Sequence, residues 1–297
     1  MTMPLLKPFL AVVMTFLVAS SVAAQDRPRV VAVNYPLQYF AERLVGDAAE
    51  VIFPVPADVD PSFWRPSIAD ISTIQSADLI LLNGAGFATW VDRVSLPRAK
   101  VANTTTAIED QFIRTESITH SHGDGDEHSH EGLASYTWLD PMLAIAQAEA
   151  VAAAITARGI APDDAVATRL DALRADLAEL DRQATGAFDG MQDIAMIATH
   201  PRYQYLAQRY GLSISSLEWE AGAMPTDAEQ ADLVALATQT GAQVLIWEAA
   251  PPAEAFAVAA ELGLANIVFP TLAQGVDDQT YMQAIANALT AISEAKP

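Results

Sequence analysis

The chain has 297 residues, with 16 lysine and arginine residues against 37 aspartate and glutamate residues, which gives a formal charge of −21. Such an acidic chain lacks the positive charge that displaces phosphate counterions, so we expect no nucleic-acid partner. It contains no cysteine, which excludes disulfides and thiolate metal sites. The hydrophobic content of 52% predicts a globular protein with a substantial core.

Residues 1–24 have the features of a secretory signal peptide. Lys7 precedes an apolar run over 9–18, and Val22, Ala23 and Ala24 stand before Gln25 as a cleavage site requires. The alternative is a transmembrane anchor, but spanning a bilayer takes about 20 apolar residues and this run is shorter. We therefore predict a cleaved signal and a soluble, periplasmic mature protein that begins near residue 25.

The next part of the chain alternates β-branched runs with longer amphipathic segments, the pattern of a parallel sheet with crossover helices. Strands are predicted at 29–33, 50–54, 79–82 and 100–102, and helices at 37–45, 68–76 and 141–158. Pro141 and Gly159 mark the start and end of the last helix. We assign residues 25–160 to a first α/β lobe.

A long helix is predicted to follow. Over 165–191 the leucines Leu170, Leu173, Leu177 and Leu180 recur at spacings of three and four, which gives one apolar stripe about seven turns long. At about 1.5 Å per residue, this helix is near 40 Å long and can reach from one lobe to another. The alternative is an ordinary surface helix. We assign residues 161–191 to a linking helix.

The alternation restarts in the last third of the chain. Strands are predicted at 194–198, 212–216, 244–247 and 267–269, and helices at 203–210, 228–240 and 253–262. Residues 192–297 therefore form a second lobe, and the predicted fold class is α/β, with a parallel sheet flanked by helices in each lobe. Ligands of such sheets bind beyond the carboxyl ends of the strands, which here means the cleft between the lobes.

His200 and Glu248 each follow a predicted strand of the second lobe and are candidate metal ligands. The alternative for His200 is a buried imidazole that caps the helix beginning near Pro201. The alternative for Glu248 is a carboxylate that meets a helix N-terminus.

Four of the five histidines, His120, His122, His128 and His130, lie within eleven residues. The surrounding segment, 119–131, is polar and of low complexity, so it cannot form core structure and is predicted to be a loop. Imidazoles beside carboxylates are suitable ligands for zinc, copper or nickel, which favours metal capture. A solvated acidic linker and an incidental histidine-rich stretch remain alternatives.

Motifs of the common enzyme classes are absent from the sequence. It contains no phosphate-binding loop, dinucleotide fingerprint or nucleophile elbow, and the histidine spacing does not match the zinc-protease motif. We therefore expect that the protein is not an enzyme.

Five segments resemble the zinc/manganese class of solute-binding proteins of ABC transporters. They are residues 30–37 (VVAVNYPL), 59–71 (VDPSFWRPSIADI), 77–84 (ADLILLNG), 137–141 (TWLDP) and 200–212 (HPRYQYLAQRYGL). The resemblance implies two α/β lobes joined by a long helix, zinc or manganese as cargo, and an inner-membrane ABC permease as partner of a monomeric binding protein. It also likens the histidine-rich segment to that of zinc-transporting members.

The ligand positions of that class match less well. Its four ligands fall on Ser62, Tyr136 and His200, and near Pro270, so only His200 keeps a strong donor. A single imidazole cannot supply the four donors that zinc prefers. Three explanations follow: the histidine-rich segment completes the site with His200 and Glu248; the cleft binds a metal chelate through Tyr136, Trp64 and Arg65; or metal binding has been lost. The competing class is a periplasmic metal chaperone or sensor.

Overall fold

The computed structural model describes residues 27–115, 132–276 and 278–295. The strands in these ranges are β1 (Arg29–Ala32), β2 (Glu50–Ile52), β3 (Leu79–Leu82), β4 (Val101–Asn103), β5 (Arg114–Thr115), β6 (Gly132–Leu133), β7 (Ala195–Ala198), β8 (Ser213–Ser216), β9 (Val244–Trp247) and β10 (Ala265–Val268). The α-helices are α1 (Tyr35–Val45), α2 (Ile68–Ser76), α3 (Pro141–Ala157), α4 (Asp163–Phe188), α5 (Gln204–Tyr210), α6 (Asp227–Thr240), α7 (Ala253–Glu261) and α8 (Tyr281–Glu294). The predicted signal peptide and the histidine-rich segment with His120, His122, His128 and His130 lie outside the described residues.

Two parallel sheets organise the molecule. The first has the strand order β2-β1-β3-β4, and the second has the order β10-β9-β7-β8. Every pair of neighbouring strands within them is parallel. A short antiparallel pair, β5 with β6, flanks residues 116–131. The predicted fold, two α/β lobes with parallel sheets flanked by helices, is confirmed.

The long helix α4 connects the lobes. It packs on α1 and α3 from the first lobe and on α5 and α8 from the second. Its 26 residues make it about 40 Å long. Leu173, Leu177 and Leu180 are buried along the predicted stripe, and Leu170 packs at its margin. The helix begins at Asp163 and ends at Phe188, so the predicted span 165–191 was displaced toward the C-terminus by two to three residues.

One hydrophobic core extends through both lobes. It includes Val31 and Phe40 of the first lobe and Tyr203 and Phe269 of the second. Hydrogen bonds also join the lobes: the Trp138 indole Nε1 donates to the Thr271 carbonyl oxygen at 2.7 Å, and the Tyr281 hydroxyl donates to the Trp138 carbonyl oxygen at 2.9 Å. Burial shared in this way stabilises one arrangement of the lobes.

One helix and one pair of strands were not predicted. Helix α8 has a capping box formed by Thr280 and Gln283, and its buried face packs on α4. The β5–β6 pair consists of two residues per strand, too few to produce a periodic pattern. Its flanks are attached to the second lobe, because Tyr205 of α5 accepts a hydrogen bond from the Ile113 amide and donates one to the Ala134 carbonyl. Among the described residues, no helix is both long and apolar enough to span a membrane.

Asp181 on α4 accepts hydrogen bonds from two residues of the second lobe. The Arg209 guanidinium donates to both carboxylate oxygens at 3.0 and 2.8 Å, and the Tyr210 hydroxyl donates at 3.0 Å. Burial raises the pKa of Asp181, but these hydrogen bonds outweigh it and hold the pKa below its ordinary value. A lowered pKa contributes stability that is present above about pH 4 and is lost as the pH falls through the pKa of the folded state.

We expect Asp181→Asn to lower the free energy of unfolding on the order of 1 kcal/mol at pH 7, because the ionised acceptor is lost. The difference from the unsubstituted protein should shrink when urea denaturation is repeated near pH 3. The control is Asp171→Asn, which removes a largely exposed partner of Arg174 and should change little at either pH. An equal loss for Asp181→Asn at both pH values would contradict this account.

Candidate functional site

The site lies at the carboxyl ends of β7 and β9 in the second sheet. After β7 the chain adds β8 on one side of that strand and then β9 on the other side. Strands β7 and β9 are adjacent, although β8 separates them in sequence. Since both are parallel, the loops that follow them leave the same edge and diverge, which opens a crevice. His200 follows β7 and Glu248 follows β9, and the Glu248 amide donates to the Thr199 hydroxyl at 3.2 Å. The sheet order therefore brings these two side chains together.

His200 and Glu248 face each other without a hydrogen bond. His200 Nδ1 lies 3.1 Å from Glu248 Oε2, and both atoms are buried without a hydrogen-bond partner in the described part of the chain. The Glu248 side chain is only 7% exposed. On the other side of the imidazole, Nε2 lies 3.8 Å from a carboxylate oxygen of Glu218. Buried polar atoms without a hydrogen bond are costly, so this pair of atoms is a candidate site for a bound cation.

A guanidinium group occupies the centre of the site. Arg202 is buried, and its Nη1 lies 3.0 Å from Glu248 Oε1 while its Nη2 donates to Asp60 Oδ2 at 2.6 Å. Nη1 also donates to the Tyr136 hydroxyl, and the Arg202 Cζ atom lies 4.9 Å from the centre of the Tyr136 ring. Burial lowers the pKa of Arg202, but Tyr136, Glu248 and Asp60 outweigh this and raise it, so the group stays charged.

The first lobe contributes Asp60 and Ser62 from the loop between β2 and α2. The Ser62 amide and hydroxyl both donate to Asp60 Oδ1, at 2.8 and 2.7 Å, which orients the other carboxylate oxygen toward Arg202. Burial raises the pKa of Asp60, but the charge of Arg202 and the Ser62 hydrogen bonds outweigh this and lower it. Asp60 therefore contributes a full negative charge to the site.

Tyr136 is positioned by a buried polar network at the reversal point of the first sheet. The side-chain Nδ2 of Asn83 donates to the Ser135 carbonyl at 3.0 Å, and the Thr137 hydroxyl donates to Gln147 Oε1 at 3.0 Å. Gln147 in turn donates to Asn83 Oδ1 at 3.0 Å. The segment on either side of Tyr136 is thereby fixed. Burial raises the pKa of Tyr136, so its hydroxyl remains a neutral phenol.

The turn after β10 supports Glu248 from the second lobe. The Thr271 hydroxyl donates to Glu248 Oε1 at 2.8 Å. The next residue, Leu272, is buried and has a φ of +58°, a backbone conformation that is strained for any residue with a Cβ atom and is maintained only by its surroundings. Since Trp138 binds the Thr271 carbonyl, the first lobe also fixes this turn.

The donor set is small for a metal site formed by the described residues alone. Within 27–115, 132–276 and 278–295, no three histidine, aspartate or glutamate side chains converge as metal ligands. The Tyr136 hydroxyl contacts Arg202. Of the other side chains suggested for a chelate, Trp64 is buried edge-to-face against Trp90, and Arg65 is exposed to solvent.

Comparisons with known proteins agree with this architecture. The family described as "Zinc-uptake complex component A periplasmic" matches residues 30–295, nearly the whole chain. The chain belongs to this family.

Relatives in this zinc-uptake family include the high-affinity zinc uptake system protein ZnuA of Bacillus subtilis, which is 27% identical over 83% of this chain and 79% of its own length. The zinc-binding lipoprotein AdcA of Streptococcus pneumoniae is also 27% identical, over 73% of this chain. The match spans only 45% of AdcA, less than half the length of that relative.

Solved structures share the fold. The metal-dependent lipoprotein YcdH of Bacillus subtilis matches with a TM-score of 0.74 at 22% identity, over 91% of this chain and 99% of that one. The binding protein FpvC of Pseudomonas aeruginosa, solved with Mn²⁺, has a TM-score of 0.73 at 21% identity, over 91% and 98% of the two chains. At these identities the likeness establishes the fold alone.

In this member of the zinc-uptake family, the four positions at which the resemblance places metal ligands differ in their surroundings. His200 and Tyr136 lie at the site, and Ser62 is buried and supports Asp60. Pro270 supplies no side-chain donor, but the adjacent Thr271 donates a hydrogen bond to Glu248.

Sequence reasoning missed Asp60, Arg202, Glu218 and Thr271. Asp60 and Arg202 both stand inside segments that the sequence singled out. Their charge is the signal that could have indicated this role. Arg202 stands two residues after His200, and an arginine that is buried beside a ligand needs carboxylate partners such as Asp60.

Proposed function

We propose that this protein is the extracytoplasmic substrate-binding component of an ABC metal-uptake system, that its cargo is zinc, and that the ion binds at His200 and Glu248 between the lobes. The observation that carries the proposal is the 3.1 Å separation of two buried metal-ligating atoms, His200 Nδ1 and Glu248 Oε2, that share no hydrogen bond. Zinc bonds to nitrogen and oxygen are about 2.0–2.1 Å long, so two ligands of one tetrahedral ion lie roughly 3.3 Å apart.

The family and the relatives named for zinc support the choice of ion. The Mn²⁺ complex of FpvC makes manganese the second candidate. The proposal includes an inner-membrane permease as the partner of a monomeric protein, and a binding role without catalysis. It also assigns metal capture to His120, His122, His128 and His130, on their ligand chemistry alone.

A metal chelate is the second candidate cargo. The described residues supply few donors, and a guanidinium already occupies the centre of the site. An ion that arrives with its own chelating oxygens needs only one or two protein ligands, which His200 and Glu248 would provide.

The test is calorimetric titration of chelator-stripped protein with zinc. We expect one ion to bind tightly, and His200→Ala to weaken that binding roughly a hundredfold or more, since even loss of an outer hydrogen-bond partner of a ligand costs 10–100-fold. A variant with His120, His122, His128 and His130 all changed to alanine is the matched histidine control, and it should keep the tight ion.

Three other outcomes would contradict the proposal or change its cargo. If the four-histidine variant loses the tight ion while His200→Ala keeps it, the cleft site is wrong. If neither the unsubstituted protein nor any variant binds free zinc, but the unsubstituted protein binds zinc citrate, the cargo is a chelate. No binding of either form would refute metal transport.

A further inference from the structure

Arg202 brings together negative groups from both lobes. Its guanidinium lies between Asp60 of the first lobe, at 2.6 Å, and Glu248 of the second, at 3.0 Å. Tyr136 of the first lobe lies against it through both its hydroxyl and its ring. The Arg202 side chain is 8% exposed, so these groups, and not water, form its main surroundings.

The negative charges around Arg202 would attract a divalent cation if the guanidinium were absent. Asp60 and Glu248 carry two negative charges at the site, and Glu218 adds a third near the exposed side of His200. Arg202 supplies one permanent positive charge, because arginine is not deprotonated in proteins. The two carboxylates that flank it are thus half neutralised before any ion binds.

An ion bound at His200 and Glu248 would share one carboxylate with Arg202. Glu248 Oε1 faces the guanidinium and Oε2 faces the imidazole. The two cations would be separated by the width of a carboxylate, in surroundings where like charges repel far more strongly than in water. A metal ion that binds this site must therefore overcome the repulsion of the Arg202 guanidinium.

We propose that Arg202 is a built-in cation of the interlobe site, which joins Asp60 to Glu248 in the metal-free protein and sets the affinity for a divalent metal ion by competing with it for Glu248. This inference rests on the proposed function, because it concerns the same site. It makes Arg202 a residue that lowers the affinity for the ion and keeps the lobes in contact when none is bound.

The experiment compares zinc affinity in Arg202→Met and Arg202→Lys. Methionine removes the charge and keeps an unbranched side chain, so we expect zinc to bind roughly a hundredfold more tightly than in the unsubstituted protein. Lysine keeps the charge, and we expect it to bind zinc at least tenfold more weakly than the methionine variant. Arg209→Met is the matched control, since it removes an arginine paired with Asp181 outside the site.

A second substitution shows where the tighter zinc binding of Arg202→Met occurs. Adding His200→Ala to Arg202→Met should abolish the tighter binding, which separates the cleft from the histidine-rich segment. Thermal unfolding with and without zinc gives an independent measure: in chelator the methionine variant should unfold at a lower temperature, and zinc should raise its Tm by more than it raises that of the unsubstituted protein.

The outcomes separate this inference from the proposed function. If the unsubstituted protein binds no zinc at His200 but Arg202→Met does, the proposed cargo is wrong and the role of Arg202 stands. If Arg202→Met binds zinc no more tightly, and zinc does not raise its Tm more than that of the unsubstituted protein, the inference is overturned whatever the cargo.

Discussion

Trp138→Ala is expected to lower the free energy of unfolding by about 3–5 kcal/mol, the usual cost of removing a buried tryptophan side chain. The indole is 1% exposed and packs against Phe87 and Tyr136, with ring centres 5.2 and 4.8 Å apart. Its removal also leaves the Thr271 carbonyl without the Nε1 donor. Urea denaturation followed by circular dichroism measures the change.

The comparison variant for Trp138 is Trp138→Phe, which keeps an aromatic ring but loses the indole donor to the second lobe. We expect it to cost less than the alanine variant, though more than about 1 kcal/mol, because the buried Thr271 carbonyl loses its partner. If Trp138→Ala costs less than about 1 kcal/mol, the indole does not stabilise the junction of the lobes.

Glu248→Gln is expected to lower the free energy of unfolding by about 3 kcal/mol and to weaken zinc binding. Glutamine keeps the shape and an oxygen for the Thr271 hydroxyl, but it withdraws one of the two charges that compensate buried Arg202. Removing one partner of a buried ion pair is costly because the other charge remains without compensation. Chemical denaturation in the presence of a chelator measures this loss of stability without a contribution from metal binding.

Glu218→Gln is the matched control for Glu248→Gln. Glu218 is 40% exposed and lies 3.8 Å from His200, so the same change there should cost less than about 0.5 kcal/mol. Equal losses for the two variants would show that the charge of Glu248 has no special role in holding Arg202.

Elements with strong local signals were predictable. Strands β3 and β9 were predicted with their observed bounds, because each is a short run of buried aliphatic side chains, with a tryptophan at the end of β9. Helix α2 was predicted equally well, and its start is fixed by a capping box between Ser67 and Asp70. Strand β10 was predicted at 267–269, two residues short at its start and one residue too long at its end, since Ala265 and Asn266 carry no β-branched signal.

One turn of the first lobe carries a local backbone signal. The Asn83-Gly84 pair directly follows β3, and Gly84 has a φ of +75°. A Cβ atom at Gly84 would lie only 2.1 Å from the Thr105 hydroxyl oxygen, so glycine is required there. Such signals are local, which is why they can be found without the fold.

The sequence by itself determined that the chain is acidic, cysteine-free and α/β, with a long leucine-striped helix between two sheets and with His200 and Glu248 after strands. These properties depend on composition and on periodicities of two and 3.6 residues, which short windows contain. Only the tertiary structure decided which strand ends are neighbours, and hence that Asp60, 142 residues from Arg202, neutralises it from the other lobe. The physical reason is that sheet order and lobe packing fix long-range pairs through shared burial, and no local pattern of residues records them.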